Sequence, residues 1–242
     1  MPYSLRELRK AYGDLSVLDG FSLDLPDRKV TAILGPSGCG KTTLLHILSG
    51  LIPPDSGERR GLEEARFSYV FQEPRLVPSL TALENVELVL RASFGEPERR
   101  DRALRFLDAV GLSEARDQRP RQLSGGMRQR VSLARAFAYP ADVLLLDEPF
   151  QSVDLRTRTG LMDAFLDLQT ADPRTVVFVT HEVKEALYLG DIVTVLSDKP
   201  ARILDRKELL LPRERRRYGS SDLSDVEAAL YRLILGEQGF TG

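Results

Sequence analysis

Residues 35–43 read Gly35-Pro36-Ser37-Gly38-Cys39-Gly40-Lys41-Thr42-Thr43. The stretch matches the pattern G-x-x-x-x-G-K-[ST], follows the apolar run Val30 to Leu34, and opens a helical pattern from Lys41 to Ser49. In a strand–loop–helix of this kind, backbone N–H groups can surround a phosphate, and the helix N-terminus adds a favourable field. We expect Lys41 to reach the β- and γ-phosphates of a nucleotide and the Thr42 hydroxyl to bind Mg²⁺.

The composition is that of a soluble globular protein. The chain has 242 residues, of which 42% are apolar and 29% charged, and its net charge of −2 gives no support to nucleic-acid binding. Apolar runs such as Val143 to Leu146 are far shorter than the roughly 20 residues that cross a bilayer, and no secretory leader is apparent. The single cysteine, Cys39, excludes an intrachain disulfide. We therefore expect a cytosolic protein that reaches a membrane only through a partner.

Short and continuously apolar runs predict strands that are buried on both faces, as in a parallel sheet covered by helices. These runs are Val30–Leu34, Phe67–Phe71, Val143–Leu146, Val176–Thr180 and Ile192–Leu196. Helical patterns separate them, so the predicted class is α/β. Near the N-terminus, residues 3–8 and 16–25 alternate apolar and polar side chains, which predicts antiparallel strands with one wet face.

One part of the chain interrupts the alternation of strands and helices. Between Gln72 and Pro140 the sequence shows helical patterns around residues 82–94, 98–110 and 125–138 and no convincing strand. We interpret it as a helical subdomain, residues 73–139, inserted into a catalytic core formed by residues 1–72 and 140–205. Residues 206–242 then form a charged linker and a helix at about Ser224 to Leu235, and a regulatory or docking tail is the alternative.

A buried strand ends in two adjacent acids, Asp147 and Glu148. Burying carboxylates at that position costs free energy unless a cation or hydrogen-bond donors interact with them, and an Mg²⁺–nucleotide would supply that partner. Successive side chains on a strand point to opposite sides, so the two acids should have different roles. We assign Asp147 to Mg²⁺, through water, and Glu148 to polarising the attacking water.

Polar residues also follow two other predicted strands, namely Gln72 after Phe71 and His181 after Thr180. Ligands of open α/β sheets lie off the carboxyl ends of the strands. We therefore expect the phosphate loop (residues 35–43), Gln72, the acid pair (Asp147 and Glu148) and His181 to face one crevice. Gln72 and His181 are the expected catalytic groups among them. His46, in the middle of a helical pattern, is expected to be a packing residue.

A further motif, Leu123-Ser124-Gly125-Gly126-Met127-Arg128-Gln129-Arg130, opens the last helix of the inserted region. Ser124 is a natural N-cap, and an apolar face follows it. The two glycines inside the cap cost roughly 1 kcal/mol each in helix stability. A helix N-terminus whose N–H groups must touch a phosphate would justify that cost.

Together these motifs resemble the nucleotide-binding subunits of ABC transporters, and the resemblance extends from Gly35 to about residue 200. It implies a P-loop NTPase (RecA-like) core with an inserted α-helical subdomain and an N-terminal antiparallel β region. It also implies a head-to-tail dimer in which each ATP lies between the phosphate loop of one copy and Ser124–Gly126 of the other. Tyr12 matches the aromatic residue that stacks on adenine, with ordinary surface packing as the alternative, and Asp154 matches the D-loop aspartate. Gln72 matches the Q-loop glutamine, which also contacts the metal, and His181 the switch histidine.

Within that family, Val70-Phe71-Gln72-Glu73-Pro74-Arg75-Leu76 resembles the nitrate, sulfonate and taurine importer ATPases. The chain departs from that group in three places: a short segment between Gly57 and Phe67, Pro78-Ser79 where a tryptophan is frequent, and Gln151-Ser152 in the D-loop. The predicted function is ATP hydrolysis that powers an importer of a small solute. A soluble ABC-type ATPase without a transport role, and an importer ATPase for an unrelated solute, are the alternatives.

The resemblance also implies partners and a location. A transmembrane permease would dock near Gln72 to Asn85, where Leu76, Val77, Pro78 and Leu80 form an apolar loop, although packing within the subdomain would also explain these residues. A solute-binding protein would take part indirectly, no nucleic acid is expected, and the subunit would lie peripherally on the cytoplasmic face of the cell membrane.

Overall fold

The computed structural model describes residues 3–151 and 153–234, which form two compact units. The first unit contains residues 3–65 and 174–234, and the second contains residues 66–173 apart from Ser152. Residues 73–139 all belong to the second unit. That unit also contains one strand before this range and a strand and a long helix after it. The boundaries of the inserted subdomain at 73 and 139 stay a prediction.

A sheet that is parallel except at one edge forms the core of the first unit. Its strand order is β7-β3-β8-β9, with β9 antiparallel to β8. Every residue of β3, β7 and β8 is buried, as expected for strands covered on both faces. The elements around this sheet are β3 (Val30–Leu34), α1 (Lys41–Ser49), β7 (Thr175–Thr180), α6 (Val183–Leu189), β8 (Ile192–Leu196), β9 (Ile203–Glu208) and α7 (Ser224–Ile234).

A separate antiparallel sheet with the order β2-β1-β4 completes the first unit. Its strands are β1 (Tyr3–Tyr12), β2 (Leu15–Leu25) and β4 (Ser56–Arg60). In β2, alternate side chains from Phe21 to Leu25 are buried, so the predicted pattern of one wet and one dry face is confirmed there, whereas Val17 and Leu18 are both buried.

The second unit combines a parallel strand pair with helices. The pair is β5 (Phe67–Val70) with β6 (Val143–Asp147), and the helices are α2 (Ala82–Leu90), α3 (Glu96–Ala109), α4 (Gly125–Ala138) and α5 (Leu155–Ala171). Phe165 of α5 makes edge-to-face contacts with Phe137 of α4 and with Phe150. These aromatic pairs contribute to the packing of α4 against α5. In the described residues no helix is long and apolar enough to span a bilayer.

The segment predicted as a charged linker from residue 206 begins within a strand and contains a buried arginine. Strand β9 continues to Glu208, and Arg216 is buried, with its guanidinium donating to the carbonyl oxygens of Leu209, Leu211 and Gly190. A charged side chain tolerates burial when its N–H groups are satisfied in this way, which composition alone does not indicate. The predicted C-terminal helix is confirmed as α7, and Leu235 lies outside the described residues.

Candidate functional site

The phosphate loop lies between β3 and α1, in the first unit. Gly38 and Gly40 have φ angles of 78° and 116°, and Gly40 is the N-cap of α1. These left-handed angles are readily accessible to glycine, and such turns are typical of loops whose N–H groups can surround an anion. The Lys41 ammonium is buried and donates to the carbonyl oxygens of Gly35 and Pro36, both at 2.8 Å. Ser37 and Thr42 are exposed at the surface of the loop, where an anion could reach them.

Gly40 is expected to be the least replaceable glycine of the loop. A Cβ atom there would lie 2.6 Å from Cγ1 of Val17, in a backbone conformation that is strained for other residues. Gly40→Ala should lower the free energy of unfolding by about 2–4 kcal/mol, measured by chemical denaturation. Gly38→Ala is the matched control, because its Cβ would meet nothing within 4 Å and only backbone strain remains. Equal losses in the two variants would show that the contact with Val17 does not matter.

Cys39 is a buried part of this loop. Its Sγ would lie 3.1 Å from a Cβ added at Gly35, so the thiol packs closely under the first glycine. Burial raises the pKa of the Cys39 thiol, and the nearby Lys41 charge only partly opposes it. The thiol is therefore neutral and shielded at ordinary pH, which agrees with a packing role in the loop.

The first unit also places His181 at the same sheet edge as the phosphate loop. Leu34, the last residue of β3, pairs with Thr180, the last residue of β7, so Gly35 and His181 leave neighbouring parallel strands at the same level. The Thr180 hydroxyl is buried and donates to the Glu185 carboxylate at 2.7 Å, which fixes the turn after β7. His181 itself is exposed.

Tyr12 ends strand β1 and has 52% of its surface exposed. The Lys10 ammonium lies 5.6 Å from the centre of its ring. A large aromatic ring that remains this exposed at the end of a strand is available to stack on a flat ligand. The geometry is compatible with the predicted contact to adenine.

The second unit brings Gln72 and the acid pair to one sheet edge. Val70 pairs with Leu146 in the parallel ladder of β5 and β6, so the segments that begin with Phe71 and Asp147 leave the sheet side by side. Gln72 is exposed, whereas Asp147 and Glu148 are half-buried. The phosphate loop and His181 thus lie at one sheet edge in the first unit, and Gln72 and the acid pair lie at one sheet edge in the second. A single crevice shared by all four strand ends stays a prediction.

Glu148 has an unusual backbone conformation. Its φ angle is 46°, in the left-handed region that residues with a Cβ rarely occupy. Such a conformation costs of the order of 1–3 kcal/mol and persists only where the surrounding structure imposes it. Residues of this kind concentrate at active sites, which marks Glu148 as a candidate catalytic group on grounds independent of its motif.

Tyr69 is a neighbour of the acid pair that sequence reasoning missed. Its hydroxyl donates to an Asp147 carboxylate oxygen at 3.2 Å, and its ring stacks on Phe71 with centroids 4.3 Å apart. Burial, and then the Asp147 charge, raise the pKa of Tyr69, so the hydroxyl keeps its proton and remains a donor. The period-2 spacing of Tyr69 and Phe71 in the predicted strand Phe67–Phe71 is a sequence signal that could have identified this pair.

The turn at the start of α4 has the predicted cap. The Ser124 hydroxyl accepts a hydrogen bond from the Met127 N–H at 3.2 Å, and Gly125 is exposed. Gly126 is buried, and a methyl group there would overlap Cγ2 of Thr157 in α5. One of the two glycines thus allows α4 and α5 to pack closely, a reason that sequence reasoning did not provide.

Asp154 caps helix α5 and is linked to that same contact. Its carboxylate accepts hydrogen bonds from the N–H of Thr157 at 3.1 Å and from the Thr157 hydroxyl at 2.6 Å. These bonds hold the pKa of Asp154 below its usual value. Thr157 therefore connects Asp154 with Gly126, although no motif identified it.

Comparison with known proteins agrees with this geometry. Residues 18–151 match the family model for "ABC transporter". The aliphatic sulfonates import ATP-binding protein SsuB of Rhodopseudomonas palustris (strain BisA53) is 42% identical over 97% of this chain and 84% of its own length. SsuB 1 of Mesorhizobium japonicum is 40% identical over 97% of this chain and 89% of its own length.

Solved structures give the same result. The dimeric structure of MJ0796, a bacterial ABC transporter cassette, has a TM-score of 0.74 and 32% identity, covering 86% of this chain and 98% of the other. A post-hydrolysis dimer of the same cassette, bound to ADP and Pi, has a TM-score of 0.73. The chain belongs to the ABC transporter family and is one of its ATP-hydrolysing subunits.

Proposed function

We propose that this subunit binds ATP through its phosphate loop and hydrolyses it to power the import of a small solute. In this proposal residues 35–43 hold the phosphates, Tyr12 stacks on the adenine, and Glu148 polarises the attacking water. Gln72 and His181 contact the reacting region and complete the catalytic set. The left-handed backbone of Glu148, directly after a buried strand, is the observation that carries the proposal.

The residues present fit a magnesium ion that accompanies the nucleotide. Mg²⁺ is usually held by one or two carboxylates together with substrate phosphates and water. Asp147 offers a half-buried carboxylate with a hydrogen bond from Tyr69, and Thr42 offers an exposed hydroxyl at the start of α1. We assign Asp147, Thr42 and Gln72 to this ion, which would neutralise charge on the phosphates when bound.

We also propose that two copies act together, head to tail. The phosphate loop of one copy and Ser124–Gly126 of the other would enclose each ATP, with Asp154 near the same junction. Support comes from the exposed Gly125 N-terminus of α4 and from the dimeric state of the similar MJ0796 cassette. A lone subunit should therefore bind ATP but hydrolyse it poorly.

A membrane permease is the proposed partner of the loop between Gln72 and Asn85. Asn85 is buried and organises this loop: its side chain accepts from the Val77 N–H at 2.7 Å and donates to the Thr81 carbonyl at 2.9 Å. Leu76, Val77 and Leu80 remain half-buried in a loop of fixed shape. A preformed apolar surface of this kind suits a docking site.

The solute is proposed from the relatives. The similar R. palustris and M. japonicum proteins are named as aliphatic sulfonate import subunits, so an alkanesulfonate is the first candidate, with nitrate and taurine as the other members of the resembling group. The subunit would then lie peripherally on the cytoplasmic face of the membrane, and a solute-binding protein would contribute indirectly.

The test is transport in a defined system. The chain is reconstituted in proteoliposomes with a candidate permease and a candidate solute-binding protein, and Mg-ATP is supplied on the side of the chain. We expect uptake of labelled ethanesulfonate that requires ATP and is absent with Glu148→Gln. Hydrolysis that no candidate solute stimulates and that drives no uptake would favour an ATPase without a transport role.

A further inference from the structure

Two side chains of helix α4 reach the loops that carry the proposed catalytic residues. The Gln129 side-chain amide is buried and donates to the Pro149 carbonyl oxygen at 2.7 Å. Further along the same helix, the Arg135 guanidinium donates to the carbonyl oxygens of Pro74 at 2.9 Å and Arg75 at 3.1 Å. All of these residues belong to the second unit.

The Gln129 bond acts next to the strained residue of the site. Pro149 directly follows Glu148, is itself buried, and has no N–H, so its carbonyl is the only backbone hydrogen-bonding group it offers. A left-handed residue such as Glu148 relaxes unless its neighbours are held. The bond from Gln129 therefore opposes relaxation of the segment that aims Glu148.

The Arg135 bonds act on the loop after Gln72. Arg75 is also left-handed, with a φ angle of 44°, and the planar guanidinium of Arg135 suits two neighbouring carbonyl oxygens. Within the same loop, the Arg75 guanidinium lies 3.9 Å from the centre of the Phe71 ring, which stacks on Tyr69 of β5. The loop is thus held from α4 and from β5 together.

We propose that Gln129 and Arg135 are positioning residues, through which helix α4 holds the loops bearing Glu148 and Gln72 in their working conformations. The inference rests on the roles proposed above for those two residues. Helix α4 begins at Gly125, so the same rigid element joins the turn offered to the second copy with both loops. A displacement of the turn would then also move the loops that carry Glu148 and Gln72.

The test compares Gln129→Met and Arg135→Met in the full-length chain. Hydrogen exchange should accelerate about tenfold at the hydrogen-bonded Gln151 amide in Gln129→Met, and at the hydrogen-bonded Val77 amide in Arg135→Met, without crossing over. Each variant should lower kcat for Mg-ATP by about tenfold while KM stays within about twofold, because substrate binding is not the function of these bonds.

Arg130→Met is the matched control. Arg130 belongs to the same helix and donates to the Val110 carbonyl at 2.7 Å, outside both loops. A fall in kcat no larger than that of Arg130→Met, or exchange that accelerates equally in both loops, would overturn the inference. Glu148→Gln is measured alongside: wild-type turnover there would refute the proposed role of Glu148, whereas the exchange data would still report on the two α4 bonds.

Discussion

Glu148→Gln should abolish steady-state ATP hydrolysis while leaving ATP binding intact. The substitution keeps the size of the side chain and removes the carboxylate that we propose polarises water, a contribution of about 10²–10⁴-fold to the rate. ATP affinity should stay within about threefold, because Glu148 is not expected to hold the ground-state nucleotide. Turnover by a coupled phosphate assay and binding by a fluorescent ATP analogue give the two quantities.

Asp154→Asn is a useful companion variant. It alters a carboxylate that caps helix α5 through Thr157, so it tests whether loss of any acid in this region stops hydrolysis. We expect it to retain far more turnover than Glu148→Gln. If Glu148→Gln hydrolysed ATP at the wild-type rate, the assignment of the base would be wrong.

Gly126→Ala should destabilise the second unit. Although alanine favours a helix by up to about 1 kcal/mol, the new methyl would overlap Thr157, and overpacking costs about 1–3 kcal/mol or more. Because the overlap is severe, we expect the free energy of unfolding to fall by about 1–3 kcal/mol. Urea denaturation followed by circular dichroism measures it.

Two variants make this prediction specific. Gly125→Ala should be neutral or slightly stabilising, since its Cβ would approach only the Arg128 guanidinium, at 3.9 Å. Thr157→Ser in the Gly126→Ala background removes the overlapping methyl group, keeps the hydroxyl for Asp154, and should restore most of the stability. If the restored protein still hydrolyses ATP poorly, Gly126 has a nucleotide-contacting role beyond packing; a double variant no more stable than Gly126→Ala would contradict the packing explanation.

The buried parts of the fold follow closely from the sequence. Strands β3 and β8 and helices α1 and α4 have the predicted bounds, because continuous apolar runs and glycine or serine boundaries mark them. Strand β4, residues 56–60, was not predicted. It contains no apolar residue and joins its sheet through backbone pairing with β1, so hydrophobic patterning cannot detect it. The edge strand β9 was not predicted either, because only its first two residues, Ile203 and Leu204, are apolar and the other four are charged.

The candidate site likewise combines features that could be predicted from the sequence with features that could not. The polar residues that follow β3, β5, β6 and β7 could be predicted as candidate site residues, since ligands of parallel sheets lie off the carboxyl ends of the strands. The left-handed angle of Glu148, the overlap that Gly126 avoids and the bond from Gln129 to Pro149 depend on contacts between distant residues. The sequence motif led to the assignment of both glycines of the turn to phosphate contact, because the contact between Gly126 and Thr157 depends on how α4 packs against α5.

If each active site needs two copies of this chain, two inactive variants with defects in different parts of the site should complement each other when they are mixed. Lys41→Ala disables the phosphate loop, and Ser124→Arg disables the turn offered to the partner. Each variant alone should hydrolyse ATP at a background rate, whereas the mixture should recover activity, because a mixed pair contains one intact loop facing one intact turn. A mixture as inactive as its components, or full activity of Ser124→Arg alone, would contradict the account.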